Sequence, residues 1–586
     1  MTTEELFEKY PDILVYDFEV FKKFWCVVIA SAEGVLEITD QMQLVDFYDS
    51  HRDCIWIGFN SNHYDSYILG AVYNGCRQDI LYRASQELIE NGRTQRGGGP
   101  PEGFISYDTG DRFHSLKQLE AYMGHSIEES SIPFDTEEEF SEEMKAETLK
   151  YCRHDVLETV EVLKRRIYDF MAQKSLIETF NLPRRDYRLT KAQLTAKVLK
   201  CTKNLSLAHE EWTNKILPCI SIRKYTEVLE FYSNCNNYRE GKLDIIISGV
   251  PHTFALGGIH GAIKRCHRKG QLLHIDVTSY YPSIMIQHNL LTRQSKEPEL
   301  FTEIYNKRVE LKKAGKKDEQ APYKIILNST FGITNQEFSK AYDPQRNHDV
   351  CINGQLMLLM LLEMLEGTCD LIQSNTDGII VDCTGRDRSK VEAICHQWEK
   401  ETKMGLSFDE VSEIWQKDVN NYLIRFDNGK EEAKGAYVKF NSELDNDLSI
   451  VNEAVREGLR KMSFRAMEDY IRNNNDLIKF QKIVKLSNRY SHVYLGAHEI
   501  KNHKCFRVFA VVDGEIISKA KSREGTHEKY ANTPESAAIV FGDLNDENLQ
   551  DYMLHRFSIE SIDKDYYVEV ARNRLMDFGL QRWLDG

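Results

Sequence analysis

The chain has 586 residues, of which 41% are hydrophobic and 11% aromatic. This content excludes a largely disordered protein, and the length exceeds what one hydrophobic core supports, so two or more domains are expected. The net charge of -16 does not favour a nucleic-acid partner, but net charge governs solubility and steering, and a local basic groove can coexist with an acidic surface.

The first twenty residues are acidic and lack the basic and apolar regions of a secretory signal. No apolar run approaches the ~20 residues that a membrane span needs, so no membrane association is expected. The 13 cysteines show neither CxxC pairs nor zinc-ligand spacing. This pattern predicts reduced thiols in the cytoplasm, or in the host cytoplasm if the chain is phage-encoded, without disulfides or structural zinc.

Elements along the chain suggest where the domains divide. Apolar runs predict strands within 12–30 and at 54–60, the Gly/Pro-rich segment 91–103 predicts a loop, and helical periodicity covers 141–180. The composition turns basic from Arg188 to Leu273. A boundary near residue 185 follows.

Carboxylates in the first third are candidates for metal ligands. Asp17 and Glu19 share one face of a strand, Asp65 follows the 54–60 strand and is expected at a strand end, and Asp155 lies on a helix one turn after Tyr151. Asp-x-Glu in a strand is also common at solvent-facing edges. Four converging carboxylates could hold two divalent ions for phosphodiester hydrolysis, with the tyrosine orienting water.

DFE, N-x3-Y-D (60–65) and Y-x3-D (151–155), in this order, resemble the three motifs of DEDDy 3′-5′ proofreading exonucleases. The resemblance implies an RNase H-like fold with Asp17, Glu19, Asp65 and Asp155 as metal ligands. The SLKQL run resembles the element that holds a single-stranded primer end, which assigns DNA binding to Ser115 and Leu116. An ordinary amphipathic helix start explains that run equally well.

Two aspartates stand out in the middle third. Asp276 lies near the end of an apolar strand that turns into a helix at Pro282, and Asp377 lies at the tip of a hairpin predicted by Asp-Gly between apolar runs. Turn chemistry alone is the simpler explanation of Asp377 taken by itself.

A helical pair separates these aspartates. Arg308 and Lys312 share one helix face, while Lys324, Asn328 and Phe331 share a face of the next helix, which is expected to end at Gly332. Cations on adjacent helices could grip a triphosphate, although a lysine-rich helix is ordinarily a solvated surface.

Together, D-x2-S-x-Y-P-S-I, K-x3-N-S-x-F-G and T-D-G resemble motifs A, B and C of family B DNA polymerases. By that resemblance, Asp276, Asp377 and the Val277 carbonyl bind the catalytic ions, and Tyr281 is the steric gate against a 2′-hydroxyl. The remaining implied roles are triphosphate binding (Arg308, Lys312, Lys324), contact with the nascent base pair (Asn328, Phe331), template contact (Gly257, Gly258) and primer contact (Lys434, Tyr437).

The chain departs from the family pattern in three places. Asn375 replaces the usual first aspartate of motif C, and Phe331 replaces a tyrosine. The motif intervals span 48 residues (276–324) and 53 residues (324–377), which leaves no room for the extra subdomains of protein-primed members. Terminal-protein priming is therefore disfavoured.

The expected fold is α/β (α+β), an RNase H-like exonuclease domain followed by a right-hand polymerase domain. The expected domains are exonuclease 1–185, basic connecting region 186–255, palm 256–297 and 335–445, fingers 298–334, and thumb with C-terminal region 446–586. The expected activity is template-directed DNA synthesis with proofreading. The alternative is an exonuclease whose degenerate polymerase half only binds DNA.

The expected partners are primer-template DNA and dNTPs, with two Mg²⁺ or Mn²⁺ ions per active site. A monomer is expected, and accessory replication factors are left open. The final LQRWLDG segment is interpreted as a packed helix rather than a sliding-clamp peptide.

Overall fold

A computed structural model of the protein describes residues 1–208 and 212–585, so 209–211 of the expected connecting region and Gly586 of the C-terminal region lie outside the described residues. Its helices are α1 (Thr3–Lys9), α2 (Gln41–Ser50), α3 (Asp65–Tyr73), α4 (Gln78–Asn91), α5 (Leu116–Met123), α6 (Glu142–Arg165), α7 (Ile167–Thr179), α8 (Lys191–Val198), α9 (Leu205–Ala208), α10 (Thr226–Ser233), α11 (Cys235–Glu240), α12 (Tyr280–Gln287), α13 (Glu299–Lys313), α14 (Lys317–Thr334), α15 (Pro344–Leu365), α16 (Arg388–Thr402), α17 (Ser449–Lys461), α18 (Phe464–Arg472), α19 (Lys564–Phe578) and α20 (Leu580–Asp585).

The strands are β1 (Ile13–Val20), β2 (Trp25–Ser31), β3 (Gly34–Ile38), β4 (Ile55–Gly58), β5 (Ser106–Asp108), β6 (Leu243–Ile247), β7 (Val250–Ala255), β8 (Gly258–Ala262), β9 (Cys266–Val277), β10 (Asp370–Asn375), β11 (Gly378–Asp382), β12 (Leu406–Asp418), β13 (Asn421–Phe426), β14 (Glu431–Lys434), β15 (Lys482–Lys485), β16 (His492–Leu495), β17 (His498–Ile500), β18 (Cys505–Glu515), β19 (Ile517–Ala520), β20 (Glu528–Lys529) and β21 (Ala537–Val540).

The chain forms two compact units, each built from several segments. Unit 1 comprises Met1–Arg188, Asn441–Val451 and Ile471–Glu569, and unit 2 comprises Leu189–Phe440, Asn452–Tyr470 and Val570–Gly586. The stretch 446–586, expected as one thumb and C-terminal region, is therefore divided between the units. Long-range backbone pairing produces this division, and local sequence patterns carry no signal for it.

The core of unit 1 is a five-stranded sheet in the order β3-β2-β1-β4-β5. β1 pairs antiparallel with β2 and parallel with β4, and its apolar run is buried on both faces, as expected for a central strand. Helix α6 packs against β1 and β2. Its N-terminus is defined by the Ser141 side chain, which accepts from Met144 N, with Glu142 and Glu143 in the favourable first turn.

The β-subdomain of unit 1, residues 471–569, contains the sheets β15-β18-β21 and β17-β16-β19-β20 around its own apolar cluster. Two backbone hydrogen bonds join it to the loop after α5: Ile127 N donates to Phe541 O at 2.8 Å, and Leu544 N donates to Gly124 O at 2.9 Å. These bonds explain why residues near the end of the chain belong to the same unit as its beginning.

Arg507 reinforces this attachment from a fully buried position. Its guanidinium donates to Gln481 Oε1 and Gly542 O at 2.8 Å each, to Ala121 O at 3.3 Å and to His125 O at 2.8 Å. Burial lowers the pKa of Arg507 to about 10. The side chain thus satisfies carbonyls of both the α5 region and the β-subdomain.

Unit 2 is organised around a nine-stranded sheet in the order β14-β13-β12-β9-β11-β10-β8-β7-β6. β9 lies in the middle and pairs antiparallel with β11 and β12. The expected strand through Asp276 and the expected hairpin around Asp377 are both present, as β9 and as β10-β11.

Among the described residues, one helix, α15, is long and apolar enough by composition to cross a membrane, and 89% of its most apolar window is buried within the protein. Its length does not come from one apolar run, because buried polar residues such as Asn347, Asp349 and Asn353 interrupt the apolar residues of the helix.

Replacing Arg507 by Met is expected to destabilise unit 1 by about 3 kcal/mol, because four buried acceptors lose their donor while the apolar stem is kept. The midpoint of thermal unfolding measures the effect. Arg523→Met, at a side chain that is 69% exposed, is the control and should change little. An unchanged midpoint for Arg507→Met would contradict this expectation. It would show that removing the desolvation cost of the buried guanidinium offsets the loss of its hydrogen bonds.

Candidate active sites

Unit 1 contains a cluster of carboxylates on β1 and α6. Asp17 and Glu19 project from the same face of β1, and α6 brings Asp155 against that face. One ligand oxygen from each of these three side chains lies within 4.8 Å of the others. The predicted convergence of these three residues is therefore seen in the structure.

Asp65 joins this cluster from an unexpected element. It is the first residue of α3 rather than the end of a strand, because Ser61–His63 form a 3-10 turn between β4 and the helix. Its Oδ1 accepts from Phe18 N at 3.0 Å, between Asp17 and Glu19. A helix start thus supplies the fourth carboxylate, and the expected strand-end position is wrong.

The electrostatics of this cluster favour a cation. Burial first, and then neighbouring carboxylates, raise the pKa of Asp17 and Glu19 well above their usual ranges. Burial likewise raises the pKa of Asp65 to about 7. Anionic oxygens held this close in a desolvated position suit hard divalent cations, so the four residues fit the predicted Mg²⁺ or Mn²⁺ ligands.

Tyr151 precedes Asp155 by one turn of α6, and burial followed by the charge of Asp155 raises the pKa of its phenol. The phenol is therefore a hydrogen-bond donor near neutral pH. This is the property that orienting a water requires.

Lys117 is a site residue that the sequence interpretation missed. Its Nζ donates to Asp155 Oδ1 at 2.5 Å and to Glu120 Oε1 at 3.0 Å, and lies 4.9 Å from the centroid of the Tyr151 ring. Nearby carboxylates raise the pKa of this buried amine despite the opposing effect of burial. The sequence feature that could have identified Lys117 is its position in SLKQL, one helical turn before Glu120.

Ser115 and Leu116 lie at the start of α5. Ser115 N donates to Gln118 Oε1 at 3.0 Å, and Leu116 packs against the apolar cluster that contains Leu119 and Tyr122. These contacts are those of an amphipathic helix start, the alternative considered above. Their role in DNA binding stays a prediction.

Unit 2 contains the second pair of predicted carboxylates. Asp276 is the penultimate residue of β9, and Asp377 lies in the two-residue turn between β10 and β11. Val277 N donates to Asp377 O at 2.8 Å, which fixes the two segments side by side. Burial, and then the charge of Asp276, raise the pKa of Asp377.

Gly378 is required by this arrangement. It pairs with Asp276 across the strands, and a Cβ built at position 378 would lie 2.1 Å from Asp276 Oδ1. The absence of a Cβ at Gly378 therefore leaves space for the Asp276 carboxylate, in addition to the conformational freedom that glycine gives a turn.

A polar cavity of about 330 Å³ opens beside these aspartates. His274 Nε2 lies 3.2 Å from Asp276 Oδ1, and ligand atoms of His274, Asp276 and Asp409 lie within 4.8 Å of one another. Sequence reasoning missed His274, which shares the β9 face of Asp276, and Asp409, because the pairing of β12 with β9 has no local signature.

Asn375 also lines this cavity, at the end of β10. Its Oδ1 accepts from Thr376 N at 3.0 Å and lies 3.1 Å from His260 Nδ1 of β8. The Asn375 side chain thus forms a hydrogen bond within the turn and contacts a histidine that the sequence interpretation did not anticipate.

The predicted base-pair and sugar contacts meet near the same hairpin. The rings of Tyr281 on α12 and Phe331 on α14 stack with centroids 3.9 Å apart. Tyr281 Oη donates to Gly257 O at 3.3 Å, and a Cβ at Gly258 would lie 3.0 Å from Thr376 Oγ1. Tyr281, Phe331 and the Gly257–Gly258 turn therefore form one cluster.

The predicted triphosphate contacts lie on α13 and α14, which pack against each other. Arg308 Nη1 donates to Ser279 Oγ at 2.9 Å, next to the α12 start. Lys312, Lys324 and Asn328 are exposed, and α14 continues two residues beyond Gly332. Arg308 contacts the residue before α12, and no hydrogen bond joins Lys312 or Lys324 to that segment among residues 1–208 and 212–585, so the binding of a triphosphate stays a prediction.

Lys434 and Tyr437 are separated by the structure. Lys434, at the end of β14, lines the cavity with Asp276 and Asp377. The centroid of the Tyr437 ring instead lies 4.9 Å from Lys417 Nζ and 5.1 Å from Arg574 Cζ, and the Tyr437 hydroxyl donates to Asp577 Oδ2 at 3.1 Å. Tyr437 is thus held by the α19 segment rather than among the residues lining that cavity.

No protein-family model and no curated protein matches the chain. Among solved structures, the chain is similar to the family B DNA polymerase from the hyperthermophilic archaeon Pyrobaculum calidifontis, with 14% identity over 97% of this chain and 77% of that chain, at a TM-score of 0.43. A similarity of this degree supports no conclusion about activity.

Lys117→Met is expected to destabilise the metal-free protein by about 3 kcal/mol, because Asp155 and Glu120 lose their buried cation. The same change should tighten Mn²⁺ binding roughly tenfold, since the ion no longer competes with an amine. Thermal unfolding and calorimetric Mn²⁺ titration measure the two effects. Lys150→Met, at an exposed lysine of α6, is the control. Weaker Mn²⁺ binding in Lys117→Met would contradict the assignment.

Proposed function

We propose that the chain is a DNA-directed DNA polymerase of the family B type with a 3′-5′ exonuclease. The observation that carries the proposal is the presence of two separate carboxylate centres, one in each unit. Each centre coincides with an independent set of sequence motifs, the exonuclease motifs in unit 1 and motifs A, B and C in unit 2.

The exonuclease assignment is supported by four carboxylates from β1, α3 and α6 with a protonated tyrosine beside them. Tyr151 would hold the attacking water by hydrogen bonding, and Lys117 would hold the Asp155 carboxylate in place through its hydrogen bond. Asp17, Glu19, Asp65 and Asp155 would hold two divalent ions. When bound, such ions lower the pKa of water and stabilise charge on the attacking and leaving oxygens.

The polymerase assignment is supported by the groups that surround Asp276 and Asp377. Both would hold the catalytic ions with the Val277 carbonyl, and His274 would orient the Asp276 carboxylate. The Tyr281 ring would exclude a 2′-hydroxyl while Phe331 borders the base pair. Arg308, Lys312 and Lys324 would bind the triphosphate, with Asn328 beside the base pair.

The alternative is an exonuclease with an inactive, DNA-binding polymerase half. Asn375 is the observation that favours it, because an amide at a cation site forfeits one negative charge. Against it stand Asp276 and Asp377, held side by side by the Val277–Asp377 hydrogen bond, and the hydrogen bonds that Asn375 already makes.

The two activities are expected to be separable. Asp17→Ala with Glu19→Ala should abolish degradation of a labelled primer while extension with dNTPs persists, and Asp377→Ala should do the reverse, because the ligand sets lie in different units. Gel analysis with and without dNTPs measures both. Loss of both activities from either variant that keeps its circular dichroism spectrum would refute the two-centre proposal.

Asn375→Asp is expected to change the rate of primer extension by less than about tenfold, or 1.4 kcal/mol of barrier, since a carboxylate oxygen can accept the same bonds from Thr376 and His260. Asn375→Leu, which removes the acceptor, should cost more. Steady-state nucleotide incorporation measures both variants. A parent chain that cannot extend primers but gains extension from Asn375→Asp would favour the alternative function.

A further inference from the structure

The β-subdomain carries a basic segment that the motifs do not explain. Residues 479–507 contain seven Lys or Arg side chains and one carboxylate, in a chain with 91 acidic and 75 basic residues. Such a local excess of positive charge is the electrostatic footprint of a polyanion-binding surface.

This segment lies beside the helix that carries Lys117. Strands β15 and β18 pack against α5, and Ile483 of β15 contacts the cluster of Leu119 and Tyr122. α5 packs in turn on α6, the helix of Tyr151 and Asp155. The basic segment is thus one helix removed from the carboxylate cluster of unit 1.

The turn between β17 and β18 is held firmly in this position. The His503 ring packs on Phe541 with centroids 3.8 Å apart, and His503 Nδ1 donates to Lys501 O at 3.1 Å. Phe541 O accepts from Ile127 N, directly after the α5 region. Lys501 and Lys504 therefore project from a turn anchored to the loop that follows α5.

Three lysines of this surface are available to a ligand. Lys485 on β15 lies opposite Cys505, the residue after Lys504, and Lys485, Lys501 and Lys504 are all exposed. Within residues 1–208 and 212–585, none of the three forms a salt bridge. Other cations of the β-subdomain are already paired, as in Lys529–Glu535 and Arg523–Glu499 at 3.3 Å. Burial raises the pKa of Glu129 to about 7, and the charges of Lys117, Asp155 and Lys504 also act on this carboxyl, which places these groups within electrostatic range.

We propose that Lys485, Lys501 and Lys504 bind the phosphodiester backbone of a single-stranded DNA 3′ end whose terminal nucleotide occupies the carboxylate cluster of unit 1. The inference rests on the proposed exonuclease activity and names the strand-binding surface that serves it. A single strand fits because a 3′-5′ exonuclease acts on an unpaired end, and lysines contact its phosphates without reading sequence.

The test compares the full-length parent with Lys485→Ala/Lys501→Ala/Lys504→Ala on a ~12-nucleotide single strand and on a dinucleotide. Each phosphate contact contributes about 0.7 to the salt slope of single-strand binding, so the slope of log(kcat/KM) against log[salt] should become shallower by about 2 for the longer strand. The dinucleotide lacks the further phosphates that the lysines are proposed to contact, so its kcat/KM should not change.

Lys390→Ala/Lys400→Ala/Lys461→Ala removes the same charge from exposed positions of unit 2 and is the matched control. An unchanged slope in the test variant, an equal loss on the dinucleotide, or an equal change in the control would each overturn the proposal. A parent chain that degrades neither substrate would instead refute the exonuclease activity itself, so the two failures are distinguishable.

Discussion

Repulsion between carboxylates in a desolvated position is the constraint on which both centres depend. Four acids gathered near β1 cost free energy unless positive charge accompanies them, and the protein supplies part of that charge through Lys117. The second centre is less crowded, since Asp276 and Asp377 border a polar cavity with a histidine at hand. Strands, helices and one tight turn hold the acids in place against this repulsion.

Much of the local structure could be predicted from the sequence. The strands of Asp17 and Asp276, the helix of Asp155 and the hairpin around Asp377 follow from apolar runs, helical periodicity and turn residues. Asp65 was placed on the wrong kind of element, because a short 3-10 turn after β4 leaves no periodic signal.

Partners distant in sequence account for what could not be predicted. Lys117, His260 and Asp409 reach their sites through packing of α5 on α6 and through strand pairings of β8 and β12, none of which a local pattern encodes. The assignment of 471–569 to unit 1 has the same origin. The basic residues of 479–507 are visible in the sequence. Their proposed role in DNA binding depends on the packing of strands β15 and β18 against α5, which the sequence does not show.

The attachment of the β-subdomain also sets an order of events during synthesis. Arg507 donates to the carbonyl of Ala121 across 386 positions of the chain, so the first 188 residues leave the ribosome long before their last strands exist. Contacts between residues so far apart in sequence form slowly, because the entropy cost of closing the long loop arises before the contact can stabilise the fold. The apolar surface of α5 that packs against β15 and β18 therefore stays uncovered while the large sheet of unit 2 is translated. Unit 1 can therefore become complete only after residues 471–569 have been translated.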